Sequence, residues 1–165
     1  MSENKIDLNM MLADFSNDVE LTEEVRMTRR QRICDLESAL STIPESYDTE
    51  EGEGYLKHHF GTGVYGREIF IPAGQVVVSK IHRGKTLSVI AMGAVTVISE
   101  DGAMTVEAPF TFVSDPFTKR VVVSHTDVIW VTSHENPDNL ENLEDIEKRI
   151  IAKDFTELNQ IQGGS

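Results

Sequence analysis

A chain of 165 residues, 39% hydrophobic and 26% charged, fits one folded domain with extensions and is too short for two full domains. No apolar run approaches the roughly 20 residues of a membrane span, and the N-terminus lacks the basic and apolar segments of a signal peptide. The single cysteine, Cys34, excludes an intrachain disulfide and fits a reducing compartment. We therefore expect a cytoplasmic protein with no membrane partner.

The net charge of −13 is concentrated at the two ends of the chain. Residues 1–54 hold 14 acidic and 5 basic side chains, residues 55–134 hold 6 and 7, and residues 135–165 hold 8 and 3. Nucleic-acid binding needs a basic surface that displaces counterions from phosphates. We therefore expect no nucleic-acid partner, and we interpret the acidic ends as solvated faces.

Residues 1–43 are predicted to form a helical N-terminal extension. Its clearest part follows Thr22, a residue type suited to the N-cap, and one face is apolar. The polar face carries four arginines, which we interpret as partners of nearby acids, with anion binding as the alternative. Pro44 ends the helix, and residues 44–54 are predicted to be an acidic linker. The apolar face comprises Leu21, Val25, Ile33, Leu36 and Leu40.

From residue 55 to residue 134, short segments rich in Val, Ile, Thr and Phe alternate with turn signals. Eight such segments with no helix between them predict a mainly β fold, an antiparallel barrel or jelly roll, and our prediction is a jelly-roll barrel. The predicted strands occupy residues 64–71, 75–82, 86–91, 94–99, 104–107, 110–114, 119–124 and 128–133.

Residues 135–158 are predicted to form a C-terminal helix, and residues 159–165 a disordered tail. The helix has an apolar stripe that we expect to pack on the barrel or on a partner chain. A barrel of about 80 residues has open sheet edges and limited surface for two helical stripes. We therefore expect a homodimer or a higher homo-oligomer. The stripe comprises Leu140, Leu143, Ile146 and Ile150.

The spacing around His82 resembles the first motif of the cupins, G-x5-H-x-H-x3-E-x6-G. Gly74, His82 and Gly93 are in register with this motif. Lys80 stands at the position of the first histidine, and Thr86 at the position of the glutamate. The resemblance implies a cupin-like fold but departs from the family at two of its usual ligand positions.

The second cupin motif resembles "SDPFTKRVVVSH", residues 114–125, where the glycine is missing and Arg120 or Val121 falls near the expected histidine. A narrower resemblance is to small cupin-like (RmlC-type) proteins of bacteriophages and prophages, a family without an established activity. It is carried by "KHHFGTGVYGREIFIPAG", "KIHRGKTLSVIAMG", "EAPFTFVSDPFTKRVVV" and "DVIWVTSH". It implies a phage origin and a location in the host cytoplasm or the virion, and it brings no catalytic residues.

A cupin metal site usually combines three imidazoles and a carboxylate, and this chain keeps one of the four, His82. The ammonium group of Lys80, two residues away on the same predicted face, would repel a divalent cation. We therefore expect no metal, no cofactor and no catalytic residue, with a metal-dependent enzyme as the alternative. That alternative would need ligands from His58 or His59, His125 and His134.

A cationic pocket at the barrel mouth is predicted instead. Such a pocket favours a small polar or anionic ligand, such as a phosphate, a nucleotide or a carboxylate. The alternative is that these groups only pair with nearby acids. Successive strand residues face opposite sides, so at most one of His58 and His59 faces inward. The candidate ligand-binding residues are His59, Arg67, Lys80, His82, Arg120 and His134.

These observations favour a non-enzymatic, phage-type accessory protein. We expect it to bind a small polar or anionic ligand, or a host protein, through its barrel. The first alternative is a structural or assembly component of the virion, with the acidic ends as docking elements. The second is the metal-dependent enzyme.

Overall fold

The computed structural model describes residues 13–42 and 55–157, so the predicted linker at 44–54 and tail at 159–165 lie outside the described residues. The fold is mainly β, as predicted, and all its strand pairs are antiparallel. No helix in the described ranges is long and apolar enough to cross a membrane. The elements are α1 (Glu23–Leu40), β1 (Leu56–Gly61), β2 (Gly63–Ile71), β3 (Val76–Val78), β4 (Ile81–His82), β5 (Thr86–Met92), β6 (Ala94–Ser99), β7 (Gly102–Glu107), β8 (Phe110–Ser114), β9 (Val121–Ser124), β10 (Val128–Asn136), α2 (Leu143–Ile150) and β11 (Ile151–Ala152).

Two sheets pack face to face to form a sandwich. The larger sheet has the order β1-β2-β10-β5-β8, the smaller sheet has the order β3-β9-β6-β7, and β11 pairs with β4. Among the described strands no strand pair joins the two sheets, so a closed barrel is not found. The paired sheets remain consistent with a jelly roll.

The predicted strands correspond to observed strands, with two differences. The segment predicted as one strand at 75–82 is divided into β3 and β4, which pair with different strands, β9 and β11. The structure also contains β1, which carries His58 and His59, was not among the eight predicted strands and pairs along its full length with β2. The sequence of β1, LKHHFG, is polar on both faces at its centre and lacks the alternation that marks a half-buried strand.

The main core lies between the two sheets. It is built from alternating inward side chains, among them Ile71 of β2, Ile90 of β5 and Val95 of β6, each at most 2% exposed. Burying one such aliphatic side chain stabilises a fold by about 1.5–3 kcal/mol. This apolar core occupies one end of the sandwich interior and leaves the other end to polar side chains.

Helix α1 packs on the outer face of the smaller sheet. Thr22 caps it as predicted, since its side chain accepts a hydrogen bond from the backbone N–H of Val25 at 3.2 Å. Ile33 and Leu36 are buried against Ile98 and other residues of the smaller sheet. The helix therefore attaches the described part of the N-terminal extension, residues 13–42, to the sandwich.

One of the four helix arginines departs from the prediction of a solvated face. Arg29 is only 2% exposed, and its guanidinium donates hydrogen bonds to the backbone carbonyls of Asp14, Ser16 and Glu100 at 3.2, 2.7 and 3.2 Å. These bonds join the segment before α1 to the turn that follows β6. Arg29 is therefore a buried structural cation whose hydrogen-bonding groups are satisfied inside the protein.

The C-terminal helix is shorter than predicted. Strand β10 continues to Asn136, and α2 begins only after its N-cap Asn142, whose side chain accepts from the backbone N–H of Asp145 at 3.1 Å. Helix α2 ends at Ile150, and β11 follows it directly. In β11, Ile151 pairs with His82 of β4 and Ala152 pairs with Ile81. The C-terminal segment therefore lies beside His82.

Candidate functional site

The polar end of the sandwich interior is the end where inward positions of β2, β5 and β10 carry polar side chains. Tyr65 of β2 lies directly opposite His134 of β10, and Arg67 lies opposite Thr132. In the ladder between β5 and β10, Leu87 lies opposite Ser133. The next position of this antiparallel register places Thr86 beside His134. Tyr65, Thr86 and His134 are each at most 4% exposed.

Four side chains form what we call the histidine cluster: His58, Tyr65, His82 and His134. The ring of His82 meets that of His134 edge to face, with centroids 4.7 Å apart. Tyr65 stacks on His134 at 5.8 Å, and its hydroxyl lies 2.7 Å from Nδ1 of His58. The sequence did not place Tyr65 among the site residues, because its alternating apolar neighbours indicated a core position.

The two most buried histidines of the cluster are uncharged at neutral pH. Burial lowers the pKa of His82 to about 3, with smaller contributions from the charges of His134, Arg67 and Arg120. Burial and the positive charge of Arg67 lower the pKa of His134 to about 4. Burial also lowers the pKa of His58, and Arg67 and His59 lower it further. The positive charge of this end therefore comes from its arginines rather than from these imidazoles.

Two polar atoms of this end are buried and have no hydrogen-bond partner among residues 13–42 and 55–157. They are Nε2 of His134 and Oγ1 of Thr86. A buried polar atom without a partner costs about 1–3 kcal/mol relative to one that is satisfied. Both atoms are enclosed by protein, so a ligand could reach them only after a local rearrangement.

Arg120 immediately precedes β9. It lies two residues before the core residue Val122, so it is on the same, inward side of the sheet. Its backbone is fixed by two hydrogen bonds to Ser79, one to the side-chain oxygen at 2.9 Å and one from the backbone N–H at 2.8 Å. The guanidinium has no hydrogen bond or ion pair with any residue in the described ranges. Burial lowers the pKa of Arg120, while the more distant carboxylates of Asp101, Asp115 and Glu100 oppose that shift.

Arg120 lines a pocket of about 400 Å³, which we call the Arg120 pocket. Apolar side chains form much of its wall, including Val97, Phe112 and Met104. Asp101 also lines it and forms an ion pair with Arg26 at 3.0 Å. The pocket therefore combines one unpaired cation with an apolar surface.

The segment before α1 closes one side of the Arg120 pocket. Asn17 lines the pocket and donates a hydrogen bond from Nδ2 to the carbonyl of Ala103 at 3.0 Å. This contact requires glycine at position 102, where φ is +135° and a Cβ would lie 2.2 Å from Oδ1 of Asn17. Asn17 was missed at the sequence level, because nothing in the sequence links it to a turn more than 80 residues away.

The structure brings together Arg67, His82 and His134, and places Arg120 close enough to lower the pKa of His82. It does not bring His59 to this end. His59 is exposed on the outer face of the larger sheet and lies 3.1 Å from a carboxylate oxygen of Glu68. The predicted ligand-binding role of His59 is therefore not supported by its position.

The inward position beside His59 belongs to His58, as the alternation of strand side chains requires. Lys80 forms an ion pair with Glu147 of α2, whose pKa it lowers. Lys80 is therefore at the margin of the polar end, engaged with the C-terminal helix, and it does not line the Arg120 pocket.

The polar end does not fit a bound metal ion. No group of three or more His, Cys, Asp or Glu side chains in residues 13–42 and 55–157 is arranged to hold one. His82 and His134 have Arg67 as a cationic neighbour that lowers the pKa of both. Thr86 stands where the cupin motif has its glutamate, so the carboxylate of that motif is replaced by a neutral hydroxyl.

Comparisons with known proteins give structural neighbours only. No family model matches the chain, and no curated protein matches it. Similar solved structures include a cupin-2 domain protein from Shewanella frigidimarina, with 7% identity and a TM-score of 0.42 over 61% of this chain and 92% of that one. A cupin protein from Bacteroides fragilis has 14% identity and a TM-score of 0.44 over 61% and 92%.

A third similar structure is salicylate 1,2-dioxygenase from Pseudoaminobacter salicylatoxidans, with 13% identity and a TM-score of 0.49. The match covers 78% of this chain and 35% of the dioxygenase. Identities this low concern the fold alone, and TM-scores under 0.5 carry no argument about activity. The site must therefore be interpreted from its own residues.

Proposed function

We propose that the protein binds a small anionic molecule in the Arg120 pocket and acts by binding rather than by catalysis. One observation carries this proposal: a partly buried guanidinium lines a pocket and has no partner among the described residues. Removing a charged group from water costs several kcal/mol unless an opposite charge or hydrogen bonds replace the water. An anionic ligand supplies both.

The chemistry of arginine suits this role. A guanidinium is planar and permanently charged, and it donates paired hydrogen bonds that match the two oxygens of a carboxylate or phosphate. The hydrogen bonds between Ser79 and the backbone of Arg120 fix the base of the side chain. The ligand would therefore meet a cation whose position is set before binding.

The polar groups lining the pocket support binding rather than catalysis. Ser99 is a hydroxyl-bearing residue of the lining, and its side chain accepts a hydrogen bond from the backbone N–H of Asp101 at 3.2 Å. The carboxylate of Asp101 is occupied by its ion pair with Arg26. Neither arrangement activates a nucleophile, which would require a neighbouring general base.

Native mass spectrometry of freshly purified protein tests this proposal first. We expect a carried small molecule that is lost on unfolding, and wild-type protein refolded without it should rebind it. Arg120→Met should not bind it, whereas Arg32→Met should, since Arg32 is an exposed helix arginine that pairs with Asp14 at 3.6 Å. Binding that survives Arg120→Met would contradict the proposal.

The finer roles stay predictions from the sequence. They are the phage accessory role, a host-protein or virion partner, the homo-oligomer and the location in the infected host or the virion. The same native mass spectra would report the number of subunits. Elemental analysis of protein purified without chelators would decide the metal-dependent alternative.

A further inference from the structure

We infer that the ligand of the Arg120 pocket is a singly charged organic acid with an apolar body, rather than a phosphate or a nucleotide. This inference rests on the proposed function and specifies the class of ligand. It depends on two properties of the pocket, the charges that line it and the nature of its walls, and the volume of the pocket accommodates such a ligand.

The charge of the lining favours a monoanion. Arg120 is the cation among the described lining residues, and Asp101 lines the same pocket as an anion. Arg26 pairs with Asp101 from outside the lining and offsets that negative charge. A dianion would place a second negative charge in this pocket without a cation to meet it. The whole chain adds a net charge of −13, which also disfavours a highly charged ligand.

The walls of the pocket favour a ligand with an apolar body. Val97 and Phe112 belong to, or pack against, the main core, and Met104 extends the same apolar surface toward the opening. Inorganic phosphate or acetate would pair with Arg120 but leave this surface in contact with water. A hydrocarbon chain attached to the anion would cover it, and each buried methylene strengthens binding about fourfold.

The volume of the pocket accommodates such a ligand. A pocket of about 400 Å³ lies within the range of roughly 300–1,000 Å³ that is usual for small-molecule sites. A carboxylate with about four to eight further carbon atoms fits within it. The volume admits a nucleotide as well, so the preference for a monoanion rests on the charges and the walls of the pocket.

Titration calorimetry of the refolded full chain with four probes tests this inference. Hexanoate carries the charge and the apolar body, hexanamide has the same shape without the charge, acetate has the charge without the body, and AMP is a nucleotide dianion. We expect hexanoate to bind at least tenfold more tightly than hexanamide or AMP. We expect it to bind about a hundredfold more tightly than acetate.

Two variants assign these differences to the pocket. Arg120→Met should remove the preference for hexanoate over hexanamide. Met104→Ser should weaken hexanoate binding about three- to tenfold and leave acetate binding unchanged, because Met104 contributes wall surface and no charge. Met104 is 42% exposed, so we expect the variant to fold, which far-ultraviolet circular dichroism would verify.

The outcomes separate this inference from the proposed function. If AMP binds at least as tightly as hexanoate and depends on Arg120, the protein is an anion-binding protein and the monoanion inference is wrong. Equal affinities for hexanoate and hexanamide would overturn both, because charge recognition would then be absent. Failure of all four probes to bind in an Arg120-dependent way would also overturn both.

Discussion

Two arginines of this protein, the buried Arg29 and the partly buried Arg120, stand in opposite situations. Arg29 donates three hydrogen bonds to backbone carbonyls and is satisfied within the fold. Arg120 faces a pocket and has no partner for its guanidinium among the described residues. Arg29 therefore connects segments of the chain, whereas Arg120 lines a pocket that a ligand can fill.

The comparison teaches that burial of a charge is informative only when its partners are known. A buried charge with a full set of hydrogen bonds becomes strongly destabilising when one partner is removed. A buried charge without partners already weakens the fold, so its removal is neutral or stabilising. The two arginines should therefore respond to the same substitution with opposite signs.

The largest expected effect is that of Arg29→Met. The substitution leaves the carbonyls of Asp14, Ser16 and Glu100 without their donor, and each loss costs about 1–3 kcal/mol. We expect the free energy of unfolding to fall by about 4 kcal/mol, measured by urea denaturation. The matched control Arg32→Met should change it by less than about 0.5 kcal/mol. A loss below about 1 kcal/mol for Arg29→Met would show that the carbonyls do not depend on it.

The next effect is a loss of stability in mild acid from the histidine cluster. His82 and His134 have folded-state pKa values of about 3 and about 4, below the unfolded value of about 6.5. The unfolded chain therefore binds more protons as pH falls below about 6.5, and stability decreases with it. At pH 5 the expected loss is about 2 kcal/mol for each histidine.

The variant His134→Gln isolates the share of one histidine in that loss. Other groups also titrate between pH 7 and pH 5, so the informative quantity is the difference between the variant and the wild type. We expect the variant to lose less stability than the wild type as the pH falls to 5. The difference should be about the 2 kcal/mol expected for one histidine, measured from the urea midpoints of the two proteins. Parallel pH profiles for the two proteins would show that His134 is not held neutral by the fold.

The smallest effect expected is that of Lys80→Met. Lys80 pairs with Glu147 at a partly exposed position, and such ion pairs contribute less than about 1 kcal/mol. Because Lys80 does not line the Arg120 pocket, hexanoate affinity should stay within about twofold of wild type. A loss of affinity comparable to that of Arg120→Met would restore Lys80 to the ligand-binding role that the sequence predicted.

The sequence predicted much of the fold because strand patterns are local. The mainly β class, most strand positions and the helix cap at Thr22 follow from short-range signals. The polar strand β1 was missed because its stability comes from pairing with β2 rather than from its own pattern. The division of the strands into two sheets was not predicted, because it depends on which strands pair across the whole domain.

Of the two arginines, the buried position of Arg29 could have been recognised from the sequence. It lies four residues before Ile33 and seven before Leu36, on the apolar side of α1.

The candidate site was only partly predictable, because its contacts join distant segments. The interior position of Arg120 agrees with strand parity in β9. Its lack of partners, and the closure of the pocket by Asn17, depend on contacts between distant segments that no local pattern encodes.

The most direct test of the central claim compares Arg120→Met with wild type in urea denaturation. Both proteins are refolded free of carried ligand and measured with and without hexanoate. Without ligand, we expect the variant to be at least as stable as wild type, and up to about 2 kcal/mol more stable. Hexanoate at a hundredfold excess over its dissociation constant should stabilise only the wild type, by about 2.7 kcal/mol. A ligand-free variant that is about 3 kcal/mol less stable would mean that Arg120, like Arg29, is a structural residue.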